Sequence, residues 1–138
     1  MMKDYWGGML ALGATTFWED FDIGWAENAS LITEPVPEGK ADIHGDFGNH
    51  CYKNLRHSLC HGWASGPAPW MAKYILGITP LEAGYKKVLF KPHLAGLQWA
   101  KGTVPTPYGN IVVELSEEGG FCRCPDGVEV EIDLSEII

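Results

Sequence analysis

Basic residues are scarce in this chain of 138 residues. It has 10 Lys and Arg against 18 Asp and Glu, which gives a formal net charge of −8. No run of basic residues is longer than Lys86-Lys87. Proteins that bind nucleic acids neutralise phosphates with clustered Lys and Arg, so we expect no nucleic-acid partner.

Long apolar runs are also missing. No segment approaches the roughly 18 consecutive apolar residues of a transmembrane helix, so we expect no membrane partner. The first residues, Met-Met-Lys-Asp-Tyr-Trp, lack the apolar stretch and cleavage site of a signal peptide, which predicts a cytoplasmic protein. Because an apolar stretch rich in Trp and Met begins at residue 1 without a polar lead-in, the sequence also predicts a start inside a domain.

Cysteines are few, and no two of them form a Cys-x-x-Cys pair. They stand at positions 51, 60, 122 and 124, and without a secretory signal we expect four free thiols. His57 and His61 are four residues apart beside Cys60, but the close ligand pairs of zinc sites are missing. The sequence contains no Gly-Lys-Ser/Thr string, so a phosphate-binding loop is not predicted. We therefore expect neither a metal nor a cofactor.

The first half of the chain predicts helices separated by long connections. Residues 2–14 carry apolar side chains at helical spacing, and their glycines predict the close approach of another helix. Residues 23–46 combine Pro, Gly and mixed charges, which predicts a long loop. Ser58 is a possible cap of a helix in the 54–61 region, and an amphipathic helix is predicted over 70–78.

After Pro80 the pattern changes to strands. Val128, Val130 and Ile132 alternate with acidic residues, as in a half-exposed strand. Further strand candidates, separated by turns rich in Pro and Gly, lie at 87–91, 97–104, 110–115 and 121–124. A spacing of about ten residues between strands is typical of an antiparallel sheet or sandwich. The sequence therefore predicts an α+β chain with a boundary near residues 79–86.

One segment combines an acid with an aromatic ring: Gly13-Ala14-Thr15-Thr16-Phe17-Trp18-Glu19. Sugar chemistry uses this combination, because an aromatic ring covers a sugar face and a carboxylate moves a proton. By residue type alone, an acid at a helix end is usually solvated or ion-paired, and a Trp is usually a large core residue. Among the six tryptophans, Trp18 and Trp63 are the candidates for a site.

This segment resembles a motif of bacterial α-L-rhamnosidases of glycoside hydrolase family 78. Two further strings resemble the same family, in the family order, and the three cover most of the chain outside the 23–46 loop. The second is Ser-Leu-Cys-His-Gly-Trp-Ala-Ser-Gly-Pro-Ala-Pro-Trp over 58–70. The third is Phe-Lys-Pro-His-Leu over 90–94 with Leu-Gln-Trp-Ala-Lys-Gly-Thr-Val-Pro-Thr-Pro-Tyr-Gly over 97–109.

The resemblance implies a fold. Enzymes of this family have an (α/α)6 barrel followed by a C-terminal β-sandwich. Residues 1–79 would then be the last helices of an incomplete barrel, and residues 80–138 would be a small antiparallel β-sandwich.

The resemblance also implies a mechanism. The family releases terminal α-L-rhamnose with inversion, which needs two carboxyl groups roughly 6.5–9.5 Å apart, with a water between them. Glu19 matches the position of the family's general base, with Trp18 packed beside it. His61 matches a position that contacts the sugar, and Trp63 is the other candidate substrate contact.

The general acid is the missing part. In the family it comes from an acidic cluster far upstream, and no acidic residue here lies in a matching motif. Asp42 and Asp46 would reach Glu19 only if the 23–46 loop folded back. The resemblance therefore implies a portion of a hydrolase that supplies the base, lacks the acid and is inactive alone.

The expected ligand is a rhamnose-containing carbohydrate. Two or three barrel helices cannot close a barrel, so their apolar faces would lie open. We expect either self-association through residues 1–22 and 66–79 or pairing with a separate N-terminal portion of the barrel. Two alternatives stay open, namely a non-catalytic carbohydrate-binding module and a structural or assembly piece without a ligand.

Overall fold

The computed structural model describes residues 2–43, 45–47 and 58–135, and it divides the chain into two units after Pro67. The division lies earlier than the boundary predicted near residues 79–86. The physical reason is that Ile75, Leu76 and Ile78 are buried in the core of the second unit.

The described residues contain α-helices, strands and short 3-10 helices. The 3-10 helices are Ile23–Glu27, Gly62–Ser65 and Ala83–Tyr85. The α-helices are α1 (Met2–Ala11) and α2 (Pro67–Tyr74). The strands are β1 (Ile78–Pro80), β2 (Lys87–Phe90), β3 (Trp99–Thr106), β4 (Gly109–Ser116), β5 (Gly119–Arg123) and β6 (Glu129–Ile132). In the described part of the chain, no helix is long and apolar enough to cross a membrane.

Helix α1 ends before the predicted limit at residue 14, because Gly13 takes a left-handed conformation with a φ of 93°. The N–H of Gly13 donates to the carbonyl oxygen of Leu10, and that of Ala14 to the carbonyl oxygen of Met9, both over 3.0 Å. This is the Schellman arrangement, which satisfies the last carbonyls of a helix and turns the chain away from its axis. The turn starts the extended segment that contains Glu19.

The core of the first unit forms around aromatic rings. A Cβ added to Gly8 would lie 2.7 Å from the Cε1 atom of Phe21, so this glycine makes room for a ring. For Gly8, the predicted close approach of another helix was wrong, because a ring lies there instead. The buried hydrophobic residues of this core are Met9, Leu12, Ala14, Trp18, Phe21, Ala29 and Ile43.

The region predicted as a loop, residues 23–46, contains local structure. Asp22 caps the first 3-10 helix, since its Oδ1 accepts the N–H of Gly24 over 2.8 Å. An isolated parallel bridge joins Ala29 to Ala41. Ile43 is 1% exposed, so this connection contributes a side chain to the core.

The helices predicted next in the chain differ from those observed. Part of the 54–61 region lies outside the described residues, and the described part, 58–61, is not helical. Helix α2 ends at Tyr74, and Ile78 begins strand β1 instead of closing the helix predicted over 70–78. With two short α-helices in the described residues, the barrel assignment of residues 1–79 stays a proposal.

Strands β3, β4 and β5 form an antiparallel meander. The register pairs Trp99 with Ser116 and Val112 with Arg123. Ile111, Val113 and Leu115 alternate with more exposed residues along β4, so one face of this sheet is buried. The strands predicted from alternation in this region are therefore confirmed within a few residues.

Strand β2 lies between β1 and β6 in a second three-stranded sheet. The pairing of β1 with β2 is antiparallel, whereas β6 runs parallel to β2, with Lys87 opposite Glu129. A purely antiparallel sandwich was therefore the wrong prediction for β6. After β5 the chain crosses to the other sheet and enters beside β2 in the same direction.

Both sheets contribute to one core, which fits a β-sandwich. Val88, Ile111 and Val113 are each 0% exposed. The side chain of Leu76 fills the space beside Gly102, where an added Cβ would lie 2.4 Å from Leu76 Cδ1. Leu76, the second residue after α2, therefore packs directly on strand β3.

Candidate functional site

Two segments of the first unit, residues 16–19 and 58–63, are joined by hydrogen bonds; we call this pair of segments the Glu19 site. The N–H of Glu19 donates to the carbonyl oxygen of Ser58 over 2.8 Å, and the N–H of His61 donates to that of Phe17 over 2.7 Å. The hydroxyl of Thr16 donates to the carbonyl oxygen of Leu59. Residues far apart in sequence thereby form one small framework.

The carboxylate of Glu19 is half-buried and held at one oxygen. Its Oε2 accepts the backbone N–H of Ser58 over 3.0 Å. For the second oxygen, Oε1, no donor is found among the described residues. A backbone donor orients the carboxylate, while the second oxygen can accept a proton from a water.

Ser58 was predicted as a helix cap, and the structure gives it a different role. Its backbone N–H and carbonyl both bond to Glu19, while its hydroxyl donates to the carbonyl oxygen of Cys60 over 3.2 Å. A backbone N–H is present in every residue except Pro, so this donor cannot be recognised from the residue type. The contribution of Ser58 was therefore missed.

Trp63 and His61, two of the predicted substrate contacts, lie together beside Glu19. The indole N–H of Trp63 donates to the carbonyl oxygen of Glu19 over 2.7 Å. The centres of the His61 and Trp63 rings are 4.3 Å apart with planes tilted by 41°. Since Trp63 is 70% exposed, its ring face is open to a ligand.

Trp18 occupies a different place from the other three residues. Its side chain is 0% exposed, and its ring meets that of Phe21 edge to face at 6.0 Å. A sugar-stacking ring needs an open face, and this one is enclosed by the core of the first unit. The role that fits this position is support of the segment that holds Glu19.

The acidic residues near Glu19 in sequence make local hydrogen bonds. Asp20 Oδ1 accepts the N–H of Phe21 over 2.9 Å, and Asp22 caps a 3-10 helix. Asp46, considered as a partner if the loop folded back, accepts the N–H of Asp42 over 2.8 Å. These contacts explain the three acids as parts of turns and provide no sign of a second catalytic carboxyl group.

Metal ligands do not converge in the described residues. No group of three or more His, Cys, Asp or Glu side chains lies close enough to hold an ion in residues 2–43, 45–47 and 58–135. His57 and Cys51 lie outside that part of the chain. Cys60, Cys122 and Cys124 are free thiols.

Comparison with known proteins identifies relatives of both units. Residues 77–136 match the model of the bacterial alpha-L-rhamnosidase C-terminal domain. This range runs from just before β1 to beyond β6, so it covers the sandwich and excludes the Glu19 site.

Two curated alpha-L-rhamnosidases are similar in sequence. One, from Alteromonas sp. strain LOR, is 27% identical over 123 residues, which are 88% of this chain and 10% of that protein. The other, from Formosa agariphila, is 35% identical over 83 residues, 56% of this chain and 9% of that protein. The chain thus spans about a tenth of the length of the curated relatives it matches.

Solved structures give the same result for the fold. The alpha-L-rhamnosidase of Dictyoglumus thermophilum aligns with a TM-score of 0.58 at 21% identity, over 91% of this chain and 12% of that one. That of Streptomyces avermitilis, solved in complex with L-rhamnose, aligns with a TM-score of 0.57 at 25% identity, over 92% of this chain and 11% of that one. Both alignments include residues of the first unit, because they extend over more than nine tenths of the chain.

Proposed function

We propose that this chain, which is the C-terminal part of a bacterial alpha-L-rhamnosidase, supplies the general base of an inverting glycoside hydrolase through Glu19. The observation that carries the proposal is the fixed position of this side chain. One carboxylate oxygen is held by the Ser58 N–H, and the backbone of residue 19 is tied to Ser58 and Trp63. A general base needs such positioning, because it must reach the proton of one particular water.

The substrate class we propose is a rhamnose-containing carbohydrate. Support comes from the relatives, which are alpha-L-rhamnosidases, one of them solved with L-rhamnose. The open ring of Trp63 suits the apolar face of a sugar, and His61, 4.3 Å from it, can exchange a hydrogen bond with a hydroxyl.

The general acid is proposed to come from a part of the enzyme outside this chain. Inversion requires a second carboxyl group roughly 6.5–9.5 Å from the base. Asp20, Asp22 and Asp46 make the local contacts described above, so each has a structural explanation. The chain alone is therefore expected to be inactive.

The first unit is proposed to complete an (α/α)6 barrel with the missing portion. Helix α1 leaves Leu10 69% and Tyr5 37% exposed, a costly arrangement unless another surface covers them. The upstream part of the enzyme is the proposed cover. A second copy of the chain is the alternative, and light scattering after size-exclusion chromatography distinguishes the two, since only self-association doubles the mass of the isolated chain.

A carbohydrate-binding module without catalysis is the second candidate. It is favoured by the exposure of Trp63, which binds a sugar face without help from any carboxylate. In that case L-rhamnose would raise the melting temperature of the chain. The shift would survive Glu19→Gln and disappear in Trp63→Ala.

Hydrolysis of an aryl α-L-rhamnoside tests the catalytic proposal. The chain alone should release no phenol, while the chain co-expressed with the upstream portion of the barrel should be active. Glu19→Gln should then lower kcat about 10²–10⁴-fold, the usual contribution of general base catalysis. Glu27→Gln, which changes an exposed acid of the first 3-10 helix, is the matched control and should have no effect.

Two results would contradict the proposal. One is hydrolysis by the isolated chain that persists in Glu19→Gln, because it would require a complete site elsewhere. The other is full activity of the co-expressed Glu19→Gln enzyme, because a base cannot be replaced by a neutral amide.

A further inference from the structure

A pocket in the second unit is lined by residues that do not belong to the Glu19 site. It has a volume of about 380 Å³ and is lined by residues from helix α2 and strands β1 and β2 and by residues that follow β2. Ligand pockets in proteins have volumes of roughly 300–1,000 Å³ and apolar walls with a few polar groups. Thr79 and His93 are among the polar residues of this pocket.

Two aromatic rings form one wall. Trp70 and Tyr74 stand four residues apart on α2, and their ring centres are 5.3 Å apart with planes tilted by 41°. They remain 43% and 48% exposed, so both rings are accessible to a ligand. Two tilted, half-exposed rings make a shallow platform that fits the apolar face of a pyranose.

The pocket is cationic in an acidic chain. Its lining includes Lys73 and Lys91 but no Asp or Glu, although the chain carries a net charge of −8. Lys91 pairs with Asp133 over 3.2 Å, so its charge is largely compensated. The Nζ of Lys73 lies 5.0 Å from the centre of the Tyr74 ring, and no carboxylate of the described residues pairs with it.

We infer that this pocket binds an anionic sugar, a pyranose that carries a carboxylate or a sulfate. The ring would stack on Trp70 and Tyr74, and the negative group would reach Lys73. A neutral sugar would need only the aromatic platform, so the lysine is what selects an acidic one. The inference rests on residues of the second unit and is independent of the role proposed for Glu19.

Native gels that contain an acidic polysaccharide test this site. Polygalacturonate in the gel should slow the migration of the chain, and fully methyl-esterified polygalacturonan, which has the same backbone without charge, should not. Because the chain itself is strongly acidic, its overall field repels a polyanion, and retardation reports a local site. Added salt should weaken the retardation, since the attraction is electrostatic.

Substitutions locate the site. Trp70→Ala and Lys73→Gln should each weaken the apparent affinity about tenfold or more. Lys86→Gln removes the same charge from an exposed position outside the pocket, so its retardation, measured relative to a gel without the polymer, should equal that of the parent chain. Lys73 is exposed, so its variant folds even if Trp70→Ala does not.

The inference is overturned if polygalacturonate does not retard the chain, or if Lys73→Gln and Lys86→Gln are retarded equally. Equal retardation by the methyl-esterified polymer would also overturn it, because the ligand would then be a neutral sugar. Failure of the rhamnoside assay has no bearing on these outcomes.

Discussion

Trp63 donates its indole N–H to the backbone carbonyl oxygen of Glu19 over 2.7 Å, across 44 positions of sequence. Together with the bond from the Glu19 N–H to the Ser58 carbonyl, this uses both backbone polar groups of residue 19. The direction in which the carboxylate points is therefore set by the 58–63 segment as well as by its own neighbours.

Trp63→Phe should test how much this hydrogen bond stabilises the first unit. It removes the donor and keeps a ring, so we expect a loss of about 1 kcal/mol in the free energy of unfolding. Urea denaturation measures it. Trp99→Phe is the control, because Trp99 is 67% exposed and its indole makes no hydrogen bond within the described residues. Equal losses in the two variants would contradict the role of the bond.

Gly77→Ala should be among the most damaging changes in the second unit. Gly77 has a φ of 76°, and an added Cβ would lie 2.2 Å from the backbone carbon of Lys91. Left-handed backbone alone costs an L-residue roughly 1–2 kcal/mol, and the clash with the backbone adds to it.

Gly96→Ala separates the two effects. Gly96 has a φ of 78° but no atom within 4 Å of an added Cβ, so it reports the backbone strain alone. We expect a loss of roughly 1–2 kcal/mol for Gly96→Ala and a larger one for Gly77→Ala, measured by thermal unfolding. Similar losses would show that the Lys91 backbone moves aside without cost.

Acid should destabilise the second unit through Asp133. The hydroxyl and N–H of Ser135, with help from Lys91, lower the pKa of this carboxyl from 3.8 to about 2. Between about pH 4 and pH 2 the unfolded chain therefore binds more protons than the folded one, and stability falls as the pH falls. Asp133→Asn should be less stable than the parent chain at pH 6 and should lose less on acidification. A pKa near 4 for the Asp133 carboxyl, measured by carbon NMR, would refute this account.

The cysteines should differ in reactivity. Burial, followed by the neighbouring Cys124, raises the pKa of the Cys122 thiol from 9.0 to about 12. The Sγ atoms of Cys122 and Cys124 are 3.8 Å apart. Cys60, in contrast, is exposed to solvent. Since the thiolate is the nucleophile, iodoacetamide at pH 8 should alkylate Cys60 at least about tenfold faster than Cys122.

Peptide mapping by mass spectrometry assigns each alkylation rate to its cysteine, and equal rates at Cys60 and Cys122 would contradict the prediction. The raised pKa of Cys122 also makes stability depend on pH. Above about pH 9 the unfolded chain loses this proton while the folded chain keeps it, so Cys122 lowers stability as the pH rises from about 9 to 12.

Local patterns predicted local structure well in this chain. The alternation of Ile111, Val113 and Leu115 with more polar residues follows from the pleat of a strand with one buried face. Helix α1 was also recognised, and its end depended on the conformation of Gly13, which residue type allows but does not require.

Non-local features were harder to predict. The parallel entry of β6 beside β2 and the burial of Trp18 depend on partners distant in sequence. Ile78 has the apolar character of a helix face and of a strand alike, and its pairing with Phe90 decides the outcome. For the Glu19 site, the sequence placed Trp18 with Glu19, His61 and Trp63, and it gave no sign of the backbone donor from Ser58, which has no signature in residue type.

The parallel pairing of β2 with β6 also has a consequence for biosynthesis. The β3–β4–β5 meander joins neighbours in sequence, so it can form as soon as those residues leave the ribosome. Strand β2 must wait until β6 closes a loop of about 40 residues, and in that interval one of its edges has no partner strand. A nascent strand with an open edge pairs readily with other chains. We therefore expect slow translation anywhere between β2 and β6 to favour aggregation of this polypeptide more than a pause before β2.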